Sequence, residues 1–216
     1  MAPRIVDKAA KRKAILDAAM AVFARRGMAR TTISDIAREA GIGKGTVYEY
    51  FTSKEQVFGE AFLHFQHLVD GEIARRTAFL DDPREKLRQM VAASVAVTVE
   101  HADFVEITFD AWAESIRRRD HFPHLETMYR TYRRYLAAIL DDGIRRGVFR
   151  PVDTAMLASA ILAALDGLLL QARMFNAEFA LDQAAETLLD SLLSGILTGS
   201  DPPPAPAATP PTGGSE

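Results

Sequence analysis

Apolar residues in this chain recur with a helical period almost from end to end, and that regularity removes most folds from consideration. Ile15, Ala18, Ala19, Val22 and Phe23 fall at i, i+3, i+4, i+7 and i+8, one stripe on one helix. Phe58, Ala61, Phe62, Phe65 and Leu68 or Val69 repeat the pattern. Val, Ile and Thr are not gathered into alternating runs, and no Asn-Gly or Asp-Gly pair separates apolar segments. The chain reads as all-α, with about nine helices and no fixed-period repeat.

Capping and breaker residues place the boundaries. A first helix is predicted from about Lys8 to Arg26, stopped by Gly27. Thr32 and Asp35 form a capping box for a short second helix that Gly41 ends. A third starts near Gly43 or Lys44 and ends about Tyr50, and Ser53 with Gln56 makes a second capping box opening a long fourth helix to about Leu80. Asp82-Pro83 starts a fifth helix, ending near His101, and Asp103 caps a sixth, to about Arg119. Pro123 heads a seventh, ending at Gly143 or Gly147. Pro151 and Asp153 precede an eighth, to about Asn176, and the ninth covers Leu181 to Leu197. Residues 199–216 are proline-rich, cannot bury apolar surface and are expected to be disordered.

Charge is uneven along the 216 residues. Residues 1–58 carry 11 Lys/Arg against 6 Asp/Glu, whereas the whole chain has a net charge of −3. A basic head on an acidic body suggests a polyanionic partner for the head. Cysteine is absent, which excludes disulfides and thiolate chemistry. No apolar stretch is expected to approach the roughly 20 residues that span a bilayer. The first residues, Met1 to Lys8, lack the apolar core of a secretory signal, so a cytoplasmic protein with no membrane partner is expected.

The segment from Thr31 to Phe51 carries the function. It gives two short helices joined by a Gly-containing turn, with small Ala37 at their crossing and Gly41 able to take positive φ. Ile36, Ile42 and Val47 can lock both helices onto the first. The other face of the third helix then offers Lys44, Thr46, Tyr48 and Tyr50 beside the short Gly43 and Gly45. Hydroxyls, lysines and helix N-terminal amides are usual phosphate contacts, and a helix of this width fits the major groove. A helical hairpin that serves only as core has the same pattern.

The ungapped run from Thr31 to Phe58, with its Gly-x-x-x-Gly-Thr-x-Tyr-x-Tyr-Phe-x-Ser-Lys-type order, resembles the DNA-binding signature of TetR-family regulators. The likeness extends back to about Lys13 and covers roughly a fifth of the chain. It implies a helix-turn-helix DNA-binding domain over residues 1–54, joined by a long helix to a helical ligand-binding and dimerisation domain over 55–198. It also implies that Thr46, Tyr48, Tyr50 and Lys54 grip phosphates. Thr31 and Thr32 would meet the backbone, and Lys44 and Gly45 would meet base edges. Glu49 would be placed to accept from a cytosine amino group. The function implied is a repressor that binds a palindromic operator as a dimer and is released by a small-molecule effector, with no enzymatic activity and no cofactor.

The small-residue eighth helix (Ala163, Gly167) and the apolar ninth (Leu188, Leu192, Ile196) are candidates for a four-helix dimer interface, or for the core of one subunit. The aromatic candidates for a ligand pocket are Phe65, Phe104, Phe109, Trp112, Tyr129 and Tyr132, joined by Met174; these side chains equally suit a core. Glu106, Asp110 and Glu114 share one face of the sixth helix. They could receive a cation beside Trp112, with Asp110 a pocket candidate, or form a solvated acidic face. The His64/His67 and His121/His124 pairs lack an evident third ligand, so no metal is expected. No phosphate loop, nucleophile elbow or metal cluster supports a rival enzyme reading. An amphipathic membrane-surface protein is disfavoured because the fourth helix lacks basic flanks.

Overall fold

A computed structural model describes residues 8–117, without the side chains of residues 103 and 104, together with 123–175 and 179–198. Within these residues the elements are α1 (Lys8–Arg30), α2 (Ile33–Glu39), α3 (Lys44–Tyr48), α4 (Lys54–Thr77), α5 (Pro83–Glu100), α6 (Ala102–Arg117), α7 (Pro123–Arg145), α8 (Thr154–Met174) and α9 (Leu181–Ile196). The expected disordered tail, residues 199–216, lies outside the described residues, as do His121 and the side chain of Phe104.

Local chemistry accounts for most boundaries. Thr32 accepts from the Asp35 amide while the Asp35 carboxylate accepts from the Thr32 N–H, so the α2 capping box is complete. Asp82 and Asp153 cap α5 and α8 through their side chains. Two expectations need correction. Gln56 does not close a box on Ser53; its Oε1 accepts instead from the amide and hydroxyl of Thr52, one residue earlier, and only the Ser53 half of the box forms. The sixth helix begins at Ala102, so Asp103 lies inside it and does not precede it. Gly27 stops the first helical run as expected: φ 72° and ψ 162° break the helix there, and a further turn, to Arg30, follows beyond the kink.

Two hydrophobic clusters organise the molecule. The first joins Ile15, Ala19 and Phe23 of α1 to Ile36, Val47, Phe51 and Phe58, and is completed by Ile107 and Ala111 of α6 and Leu125 of α7. Phe23 and Phe58 meet edge to face at 5.3 Å and 88°. The second cluster, centred on Leu87, Leu136, Leu140, Phe149, Ile161 and Leu193, ties α5, α7, α8 and α9 together. Its base is closed by an isolated antiparallel bridge between Phe149 and Leu197, with Arg150 N–H donating to Ile196 O at 2.8 Å and Thr198 N–H to Val148 O at 3.1 Å.

By length and composition α8 is apolar enough to cross a bilayer, with a mean hydropathy of 1.8, which overturns the expectation that no such stretch exists. Its alanines and leucines make a largely apolar run whose only charged residues are Asp166 and Arg173, and counting it as a small-residue packing face hid that length. Little of it is buried. Met156, Leu170, Met174 and the adjacent Phe175 all lie exposed.

Candidate nucleic-acid interface and ligand chamber

The head is built from α1, α2 and α3. Val47 anchors α3 with no exposure, and Ile36 and Ala37 of α2 are likewise buried. Gly41 takes φ 64° in the turn between the two helices, the left-handed conformation a side chain would resist. Ile42 N–H donates to Ala37 O at 3.0 Å across that turn. With Val47 packed inward, the opposite face of α3 is open: Gly43, Lys44, Gly45, Tyr48 and Glu49 are exposed, and Thr46 and Tyr50 half-buried. Tyr48 is 50% exposed, and the Lys44 ammonium stands 5.8 Å from its ring centre. This is a donor-bearing convex edge of the size a major groove admits.

Most other cations of the head are occupied. Arg26 and Arg38 both pair with Asp35, and Arg25 pairs with Glu39, so α1 and α2 are laced together. The Thr32 hydroxyl and amide, then the two arginines, hold the Asp35 carboxyl below its ordinary range. Arg12 pairs with Glu60 of α4 and lies over the Phe51 ring at 4.6 Å.

Two expected backbone contacts are placed differently. Thr31 is only 2% exposed, and its hydroxyl donates to Gly27 O at 2.8 Å, so that hydroxyl serves the α1 kink and is not offered outward. Lys54 turns inward and donates through Nζ to Met28 O at 2.8 Å. Thr32 stays exposed, but its hydroxyl is shared with the Asp35 cap.

In the body, a partly open cavity of about 130 Å³ lies among α4 to α8, with Leu181 of α9 on its edge. Phe65, Trp112, Tyr129 and Tyr132 line it, as expected from the sequence. Phe109 does not; it supports Trp112 edge-on, with ring centres 5.2 Å apart. Met174 is 63% exposed beyond the chamber, because the last turn of α8 runs out past its wall. Asp110 also lies elsewhere, its carboxylate accepting from the Met28 amide at 2.5 Å.

The acidic face of α6 therefore divides among separate partners. Glu106 pairs with Arg173 of α8, Asp110 holds the α1 kink, and Glu114 lies 3.8 Å from Arg117. The carboxylate that does face the chamber is Asp166 of α8. Trp112 Nε1–H donates to the Tyr129 hydroxyl at 3.0 Å, and that hydroxyl donates to Asp166 Oδ2 at 2.6 Å. Burial pushes the Asp166 carboxyl up, against the lowering effect of the Tyr129 hydrogen bond and nearby Arg133. Burial first, then the Asp166 charge, also raises the Tyr129 hydroxyl, which keeps its proton. Sequence reasoning missed Asp166 as a chamber residue; a lone acid in so apolar a helix was the available signal.

Of the interface candidates, Ala163 is exposed and Gly167 and Leu188 half-buried. Leu192 and Ile196 pack into the second core of the chain, Ile196 with 5% exposure, because α9 lays that face on α5 and the base of the bundle. His64, His67 and His124 border an open cleft of about 560 Å³ between α4 and α7. Among the described residues no group of three His, Asp or Glu side chains is arranged to hold a metal ion.

Two family models match the chain. Residues 15–61 match the bacterial regulatory proteins of the tetR family, and residues 83–197 match the C-terminal part of BetI-type transcriptional repressors. The HTH-type transcriptional repressor KstR2 of Mycobacterium tuberculosis is 32% identical over 144 residues, 65% of this chain and 70% of that protein. The HTH-type transcriptional regulator BetI of Agrobacterium fabrum is 28% identical over 188 residues, 87% of this chain and 89% of its own length. A transcriptional regulator from Saccharomonospora viridis, solved in complex with choline, superposes with a TM-score of 0.78 at 26% identity, covering 88% of this chain and 99% of that one. The all-helical fold, the exposed helix-turn-helix face and these matches agree: the chain belongs to the TetR family, DNA-binding transcriptional repressors that respond to small molecules.

Proposed function

We propose that the chain acts as a cytoplasmic homodimer that binds a palindromic operator and releases it when a small molecule enters the chamber of the body. The observation that carries the reading is the open face of α3, with Lys44, Thr46, Tyr48 and Tyr50 over a buried Val47. In it residues 1–54 read DNA and residues 55–198 bind the ligand and the second subunit. Two α3 helices would enter successive major grooves, roughly 35 Å apart or somewhat more. The exposed apolar side of α8, with Ala163, Leu170 and Met174, supports a two-fold interface there, since a surface of that kind left in water promotes association.

The charge of the chamber bears on the effector. Among the described residues lining it, Asp166 is the only charged group, and Trp112 and Tyr129 present ring faces nearby. A negatively charged ligand would be buried without a partner, whereas a neutral or cationic one would not. The choline complex of the Saccharomonospora relative supports this reading. Neither cofactor nor catalytic turnover enters the mechanism.

The test is a mobility-shift titration on the duplex flanking the encoding gene, with competitor DNA. Binding should weaken steeply with salt, and Lys44→Ala should weaken it and reduce the logarithmic salt slope by about 1 if the ammonium neutralises one phosphate. Failure of the wild type to bind at low salt overturns the reading.

A further inference from the structure

We infer that Asp110 is the positioning residue through which the ligand chamber and the DNA-reading head sense one another; the inference rests on the function proposed above. The basis is the backbone of a single residue. Met28 follows the kink of α1, and its N–H donates to Asp110 Oδ2 of α6 at 2.5 Å. Its carbonyl accepts from Lys54 Nζ of α4 at 2.8 Å. One residue earlier, Gly27 O accepts from the Thr31 hydroxyl. The hinge from which α2 and α3 hang is thus gripped by three side chains, from α6, from α4 and from the link between α1 and α2, and only Asp110 belongs to the body.

Access to that grip is made by Gly27. A Cβ there would stand 3.3 Å from Asp110 Oδ2, and the positive φ disfavours a side chain as well. The carboxylate can therefore close directly on the backbone of the kink.

The same helix is a wall of the chamber. Thr108 and Trp112, two residues before and after Asp110, line the cavity, while Ile107 and Ala111 are buried in the head's own cluster. A single 16-residue helix carries all five. In this inference a ligand that displaces Trp112 from Tyr129 shifts or rolls α6, and the shift is delivered at Met28. Two sites linked in this way influence each other reciprocally, so DNA on the head must also be felt at Trp112.

That reciprocity gives a test that needs no known effector. Trp112 is the sole tryptophan of the chain and reports from inside the chamber. The full-length wild type, Asp110→Ala and Asp110→Asn are titrated with the duplex flanking the encoding gene, following tryptophan emission and, separately, duplex affinity. The wild type should change its emission as duplex binds. Asp110→Ala should bind duplex with little or no emission change, and Asp110→Asn, which keeps an acceptor for the Met28 amide, should recover the response. Loss of binding by Asp110→Ala with recovery of both binding and response in Asp110→Asn also supports the inference. A wild-type protein that binds duplex with unchanged emission overturns it, as does Asp110→Ala responding like the wild type, or loss of binding in both variants. Independent of any variant, hydrogen exchange in the free wild type should show the Met28 amide protected; exchange at the rate of an open loop overturns the inference. A wild type that binds no duplex at all refutes the proposed function itself, a result separable from the others.

Discussion

Removing one oxygen from the chamber, in Tyr129→Phe, tests how the Trp112–Tyr129–Asp166 chain is held. The substitution leaves the ring and takes away a hydroxyl that accepts from Trp112 and donates to Asp166. A hydrogen bond to a charged group contributes about 1.5–3 kcal/mol, and a buried donor left without a partner costs about 1–3 kcal/mol. The cavity of about 130 Å³ beside them can admit water to the Trp112 N–H, which offsets part of the second cost. A net loss of about 2–3 kcal/mol follows at neutral pH, which lowers Tm by about 4–12 °C in a chain of this size. The loss should depend on pH. Burial already raises the Asp166 carboxyl in the folded protein, and the Tyr129 hydrogen bond opposes that rise. Without the hydroxyl the carboxyl climbs further. A group whose folded value lies above its unfolded one, about 3.9 for Asp, contributes stability that is complete below the unfolded value and lost as pH rises through the folded one. The variant loses more over that interval, so its deficit is largest at neutral pH and shrinks in acid. Thermal melts of both proteins, followed by Trp112 emission at neutral pH and at about pH 5, measure the difference. An equal deficit at both pH values, or none at neutral pH, would show that the chain does not couple the tyrosine to the carboxylate.

Three further outcomes follow from the geometry. Thr31→Val should lower Tm, by about 2–4 °C per kcal/mol of a loss near 1–3 kcal/mol, while leaving the salt slope of duplex binding unchanged; weaker binding with an unaltered melt would return Thr31 to a phosphate-contacting role. Gly143→Ala places a methyl group within the Phe149 ring and should cost about 1–3 kcal/mol in denaturant unfolding; a stability within error of the wild type would contradict the close packing of α7 on that ring. Leu170→Glu on the exposed side of α8 should convert a dimer to a monomer in sedimentation at micromolar concentration, and an unchanged mass would place the interface elsewhere.

The elements of this fold were legible wherever a local rule governs them. The Thr32–Asp35 box, the Asp82 and Asp153 caps and the turn at Gly41 depend on residues within a few positions of one another, and the sequence displays them directly. The open face of α3 was legible for the same reason, since burying Val47 determines which side faces outward. What stayed hidden depends on contacts distant in the chain. Nothing near Lys54 indicates that it would be drawn to the α1 kink, 26 positions away, whereas the Thr31 hydroxyl reaches Gly27 O only four residues back and was overlooked as a local bond. The i, i+4 spacing of Glu106, Asp110 and Glu114 placed them on one face of α6, with Arg117 within reach of Glu114, but could not show that α8 and α1 would claim Glu106 and Asp110. Asp166 was visible as an oddity in α8, yet its role depends on Tyr129 arriving from α7, 37 positions away.

The head borrows part of its interior from the body, since Ile107, Ala111 and Leu125 complete the cluster around Phe23 and Phe58. A fragment cut after residue 54 would therefore lose Val57, Phe58, Phe62 and all three of those side chains, and would open its floor to water. For the same reason, a chimera that exchanges heads between related regulators inherits a mismatched seam unless the matching strip of α6 travels with the graft. New operator preference is better sought on the outward side of α3, where changes do not touch that shared floor.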